Sequence, residues 1–210
     1  MGVLTRGILG GFRGSVGPVT GTSWKGIDVI KSKPLSVANP RTAAQTNQRN
    51  KFAGVVAFAV ALLANIVKPL WDRFAQKESG YNAFVQTNIA NFNDNGELND
   101  PSTLKISNGT WPNIADLSSV ALNSNGLLFF NAVGGGGLAT DEVYAAVFVQ
   151  TGGQILGQKS SGNRASGDHT IDFAKQLTVG DPYSLYIATR RADGTAVSST
   201  LWYQDTVITA

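Results

Sequence analysis

Val143-Tyr144-Ala145-Ala146-Val147-Phe148-Val149-Gln150 and Tyr183-Ser184-Leu185-Tyr186-Ile187-Ala188-Thr189-Arg190 decide the fold class. Each is a strand-length run of β-branched, aromatic and small apolar residues. Thr151-Gly152-Gly153, Asp181-Pro182 and Ala192-Asp193-Gly194 bound them as turn signals. Working outward, further short strands are predicted over residues 104–107, 120–123, 127–132, 154–157, 169–173 and 198–207. Strands 183–190 and 198–207 are joined by a hairpin around Ala192-Asp193-Gly194-Thr195. Seven or eight strands in ~100 residues point to an immunoglobulin-like or fibronectin type III-like sandwich, with a jelly roll as the other all-β choice. With their own turn signals, residues 103–210 are expected to fold independently.

Upstream the grammar differs. Asn93-Asp94-Asn95-Gly96 and Asn99-Asp100-Pro101 cluster turn formers without apolar periodicity and read as a domain boundary. Before them, Asn39-Pro40-Arg41-Thr42 resembles a helix start, with Thr42 or Asn39 as cap. A helix is predicted from there, polar and basic through Arg41, Gln45, Gln48, Arg49 and Lys51, and apolar on nearly every face from Phe52 onward. That pattern means burial on more than one side. Pro69 ends or kinks it. Further helices are predicted over residues 70–77 and 80–92, the latter from the spacing of Tyr81, Phe84, Val85, Ile89 and Phe92. Residues 52–67 fall short of the ~20 apolar residues a bilayer crossing needs, so no membrane span is read.

The first 33 residues hold Gly2, Gly7, Gly10, Gly11, Gly14, Gly17, Gly21 and Gly26 between apolar residues. Interior glycine costs a helix ~1 kcal/mol each, so short strands are expected, with Gly17-Pro18 and Gly21 as breakers. The fold class is therefore α+β: a glycine-rich β arm with an extended linker (1–40), a helical region (41–100) and a β-sandwich (101–210).

Charge is concentrated in the same arm. Residues 1–51 carry Arg6, Arg13, Lys25, Lys31, Lys33, Arg41, Arg49 and Lys51 against Asp28 alone, whereas the whole chain is only +3. Such a stretch suits nucleic acid, an anionic surface or an acidic partner subunit. Phe12-Arg13-Gly14 and Trp24-Lys25-Gly26 each set an aromatic beside a cation. They could stack bases, or fill a pocket on a partner with cations at the rim. The candidate interface residues are Phe12, Arg13, Trp24, Lys25, Arg41, Gln45, Gln48 and Arg49.

No catalytic, cofactor or metal site is read. Cysteine is absent and His169 is the single histidine, so thiolate chemistry is excluded and a metal site would rest on one imidazole. By strand alternation Asp168, Thr170 and Asp172 point away from His169, which reads as surface polarity. Gly10-Gly11-Phe12-Arg13-Gly14 lacks the strand and helix of a dinucleotide fingerprint, and no phosphate loop, G-x-S-x-G or H-E-x-x-H is present. The run at residues 134–137 is four glycines, read as a flexible loop. Met1-Gly2-Val3-Leu4-Thr5-Arg6-Gly7-Ile8 offers no apolar h-region, so no Sec-type leader is expected.

The run Gly7-Ile8-Leu9-Gly10-Gly11-Phe12-x-Gly14-x-Val16-Gly17, then Ser23-Trp24-Lys25-Gly26-Ile27-Asp28 and Asn39-Pro40-Arg41-Thr42-x-x-Gln45-x-x-Gln48-Arg49-x-Lys51-Phe52, resembles a domain-of-unknown-function family of Bacteroidota and their phages. Ser15 stands where that family usually has lysine, with Arg13 as a neighbouring charge. The family has no assigned activity, so the resemblance implies no catalytic residue. The Asn-Pro-Arg-Thr element is also similar to segments of small phage structural proteins. The resemblance implies a non-enzymatic assembly component, a phage virion or prophage-derived part such as a capsid or tail decoration, whose partners are further copies or other virion proteins. The alternatives are a nucleic-acid-binding protein using residues 1–51, or a surface adhesion or carbohydrate-binding module using sandwich loops.

Overall fold

A computed structural model describes residues 2–3, 13–34, 36, 39–205 and 207–210. By compactness the chain divides into two units, Met1–Thr42 and Ala43–Ala210.

In the first unit β1 (Gly2–Val3), β2 (Gly14–Val16), β3 (Val19–Trp24) and β4 (Ile27–Ser32) form an antiparallel sheet in the order β1-β4-β3-β2. Two-residue turns join three of them. Gly17 at φ 56° precedes Pro18, and Lys25 and Gly26 both have positive φ, at 49° and 80°. Left-handed turns of this kind match the twist of hairpin strands. Gly21 is no breaker: it lies inside β3, opposite Gly14 and Ile30.

The second unit opens with α1 (Ala43–Ala61), a π-helical turn (Leu63–Val67) and α2 (Lys68–Trp71). The axis bends by 69° between α1 and the following segment, at Leu62 and not at Pro69. The π register is the cause. Val67 N–H donates to Leu62 O and Lys68 N–H to Leu63 O, five residues back, and Pro69 downstream has no N–H to give. The helix predicted over 70–77 stops at Trp71, where the Asp72 carboxylate accepts the Gly80 N–H at 3.0 Å and draws in the next helix. That helix, α3 (Gly80–Asn88), starts at the Ser79 side chain, which accepts the Asn82 N–H. It runs on as a 3-10 turn over Ile89–Asn91.

Seven strands follow: β5 (Asp116–Leu122), β6 (Leu127–Val133), β7 (Glu142–Val149), β8 (Gln154–Asn163), β9 (Asp168–Asp172), β10 (Tyr183–Arg190) and β11 (Leu201–Asp205). All pair antiparallel, as a three-stranded sheet β5-β6-β9 and a four-stranded sheet β11-β10-β7-β8. Leu122, Leu128, Phe130 and Ile171 of the first sheet share a core with Val143, Val147, Leu185 and Ile187 of the second. This is a β-sandwich, and the division of its strands is that of immunoglobulin and fibronectin type III-like folds.

Alternation turns the other residues of β7 and β10 outward, yet they too are buried. Tyr144, Ala146, Phe148, Tyr186 and Ala188 pack with Phe58, Leu62, Ile66, Leu70 and Phe84 of the helices. Helices, four-stranded sheet and three-stranded sheet therefore make three layers, and the regions 41–100 and 101–210 share a core instead of forming separate domains. The turn cluster at 93–100 is a loop docked on α1 and not a linker. Asp94 takes hydrogen bonds from Asn47 (2.7 Å) and Asn50 (3.0 Å) and an ion pair from Lys51 (2.9 Å). A Cβ on Gly54 would overlap the Gly96 carbonyl, so glycine there permits the contact.

Two further expectations change. Residues 104–107 are not a strand, because side chains satisfy their backbone. Asn88 accepts from Lys105 N and donates to Lys105 O, while the Thr200 hydroxyl takes the amides of Ile106 and Ser107. Leu104 and Ile106 are thereby plugged into the helix-side core. His169 is buried, not a surface residue. It stacks on Phe130 at 4.9 Å and bonds Ser160 through Nδ1 at 2.9 Å, while burial holds its pKa below the ordinary imidazole value.

Candidate interaction surface

The predicted interface residues fall in both units. Phe12 lies outside the described residues. Arg13 is exposed just before β2, Trp24 closes β3 opposite Ile27, and Lys25 opens the tight turn. Arg41 is exposed ahead of α1, and Gln45, Gln48 and Arg49 are exposed on its first turns.

On α1 the exposed polar positions lead into a stripe that sequence reasoning did not separate. Gln45 and Arg49 are followed at helical spacing by Phe52 and Val60, with half-buried Val56 between them packed against the core. Phe52 is 51% and Val60 60% exposed, and Ala53, Ala57, Ala61 and Ala64 are exposed beside them. The opposite side of the helix supplies Val55, Phe58, Ala59 and Leu62 to the core. The helix is apolar on both sides, and the described core of the second unit packs on one. The all-round apolar composition was visible in the sequence, but it has no periodicity from which to tell the inner side.

Beside this stripe runs a groove of about 690 Å³ between α1, the 93–101 loop and the turn joining β7 to β8. Phe58, Leu98, Pro101 and Phe148 supply apolar walls, Glu97 a carboxylate, and Gly152 and Gly153 an open glycine edge.

Two polar clusters lie elsewhere, largely paired, with Asp141 Oδ1 in the first and Arg190 Nε in the second left without a hydrogen bond. Arg164, nearly inaccessible, meets Asp141 at 3.3 Å and donates to the carbonyls of Pro112, Asn113 and Gly134. Asp141 Oδ2 also accepts from Trp111 Nε1 and Leu138 N, each at 2.8 Å. The glycine run at 134–137 is part of this lock: a Cβ on Gly137 would overlap Arg164 and one on Gly135 the Asn113 carbonyl. Its glycines make room for a guanidinium, which replaces the flexible-loop reading. In the second cluster Glu142 bonds Tyr144 at 2.9 Å and Lys159 at 2.6 Å. Burial opposes ionisation of Glu142, but hydrogen bonds from Lys159 and Tyr144 and the charges of Lys159 and Arg190 hold its pKa below the usual value. Burial, with the bond to Glu142, pushes the Tyr144 phenol up to about 12. Among the described residues no group of three or more acidic or histidine side chains is placed to hold a metal ion. Nor is any single helix among them long and apolar enough to cross a membrane.

Fold and surface together define a β-sandwich protein with a helical layer on one sheet and an exposed pair of large apolar residues, Phe52 and Val60, on that layer. Residues 11–203 match a family of unknown function, DUF6266, and the chain belongs to that family. A search of curated proteins found no match. Among solved structures the chain is similar to the fn3 domain of the human collagen alpha-1(XX) chain, at 14% identity and a TM-score of 0.36, over 50% of this chain and 90% of that one.

Proposed function

We propose that the protein is a non-enzymatic assembly component, a virion or prophage-derived part in which the N-terminal arm and α1 make subunit contacts and the sandwich projects or binds. The observation that carries this reading is the outer face of α1. A helix facing water presents polar residues there, whereas this one presents Phe52 and Val60 among alanines. Contiguous apolar surface of this kind marks a protein contact. The virion assignment is supported by the resemblance of the Asn39-Pro40-Arg41-Thr42 element to small phage structural proteins.

The rival reading, nucleic-acid binding through residues 1–51, rests on their charge. Sedimentation of nuclease-treated protein in ~0.1 M and ~1 M salt separates the two. Contacts made by apolar burial survive at a Debye length of ~3 Å, so an oligomer is expected in both buffers. Trp24→Ala should shift it toward monomer. A monomer indifferent to Trp24→Ala, binding duplex with a log-log salt slope near −0.9 per phosphate and weakened by replacing Arg6, Arg13, Lys25, Lys31 and Lys33, would establish the rival.

A further inference from the structure

We infer that the groove between α1 and the 93–101 loop receives the N-terminal arm of a second copy of this chain, an inference that rests on the assembly reading above. The groove and the arm are complementary in charge and in what each leaves uncovered. Among the described residues the carboxylate that lines the groove is Glu97, which accepts a hydrogen bond from Asn93 at 3.1 Å and makes no ion pair. The arm carries Arg6, Arg13, Lys25, Lys31 and Lys33 against Asp28. The Glu97 carboxylate on the lining disfavours a nucleic-acid occupant and favours a basic peptide.

The arm in turn needs a cover. Directly paired residues of a sheet share a face, so the register places Val16, Val19 and Ile30 on one face and Ile27 and Val29 on the other. Val16 is 66% and Ile27 46% exposed. Val29 is buried, but apolar residues remain exposed on both faces, and a small sheet of this kind gains stability when something packs on it. Phe58, Leu98, Pro101 and Phe148 offer an apolar floor. Nothing lies within 4 Å of a Cβ built on Gly152 or Gly153, which leaves room at that edge for an approaching backbone. Apolar contact supplies the affinity, and the charges select the partner, because like charges across an interface cost several kcal/mol while exposed opposite pairs add little.

Full-length charge-reversal variants test this. Glu97→Lys with Asn99→Lys alters the groove, and Arg13→Glu with Lys31→Glu and Lys33→Glu alters the arm; all five residues are exposed, so native circular dichroism spectra are expected. Each variant alone should shift toward monomer, with an assembly Kd raised about 30-fold or more. An equimolar mixture of the two should recover the wild-type mass, since each reversed surface then meets its match on the other chain. Recovery when all five changes sit in one chain, but not in the mixture, would mean that the arm docks on its own subunit and overturns the proposal. Wild-type assembly by both variants, with Val60→Asp still dissociating the oligomer, would remove the groove contact and leave the assembly reading standing. A wild-type chain that is monomeric throughout would remove both.

Discussion

A chain cut to residues 101–210 is expected not to fold cooperatively, although it retains all seven strands of the sandwich. Its four-stranded sheet would lose the helical layer and present Tyr144, Phe148, Ile155 and Tyr186 to water, together with Val197 of the β10–β11 connection, all of them buried in the intact chain. At ~1.5–3 kcal/mol per large apolar side chain the loss is on the order of 10 kcal/mol, comparable to the ~5–15 kcal/mol that stabilises a typical domain. Residues 104–107 would also lose Asn88, which binds both polar groups of the Lys105 backbone. Urea titration followed by tryptophan fluorescence should show no sigmoidal transition, whereas residues 43–210 should give one. Cooperative unfolding of the shorter chain would refute the shared core.

Arg164→Met is expected to be the most damaging single substitution in the sandwich. It removes the cation beside the inaccessible Asp141 carboxylate and strips a donor from the carbonyls of Pro112, Asn113 and Gly134. Methionine fills much of the volume but offers no proton. Breaking a buried ion pair from one side costs about 3–5 kcal/mol, which in a unit of this size lowers the melting temperature by roughly 10 °C. Arg164→Lys should recover only part of this, because the pocket uses both terminal nitrogens of a planar fork. A loss below about 1 kcal/mol by denaturant titration would show that the cluster relaxes around the change.

How far the fold was legible depends on how local its cause is. Strand β10 and the turn after it follow from residues 183–195 alone, because strand propensity and an Asp-Gly turn act over a few residues. The third layer does not. The β7 run Val143 to Val149 reads as a strand whether one face or both are buried; only its lack of polar alternation hints at two-sided burial. Residues 104–107 have strand composition but lose the strand to Asn88 and Thr200, one of them far away in sequence. The bend at Leu62 comes from a π turn upstream of Pro69, whereas the proline itself draws the eye. Likewise, alternation correctly set His169 opposite Asp168 and Asp172, but alternation does not say which side is the core. On α1 the polar start was legible from Gln45, Gln48 and Arg49, with Arg41 just ahead of the helix. The exposed face beyond it was not, because a helix apolar all round carries no marker for its outside.

The role assigned to that face is tested most directly by the mass of Val60→Asp in solution. Val60 is 60% exposed in the folded chain, so a carboxylate there should leave the circular dichroism spectrum and melting temperature nearly unchanged. At the centre of a subunit contact the same carboxylate would be buried without a partner, a cost of several kcal/mol. Sedimentation velocity at micromolar concentration should therefore find an oligomer for the wild type and a folded monomer for Val60→Asp. A Val60→Asp protein with the wild-type mass would contradict an assembly role for the helix.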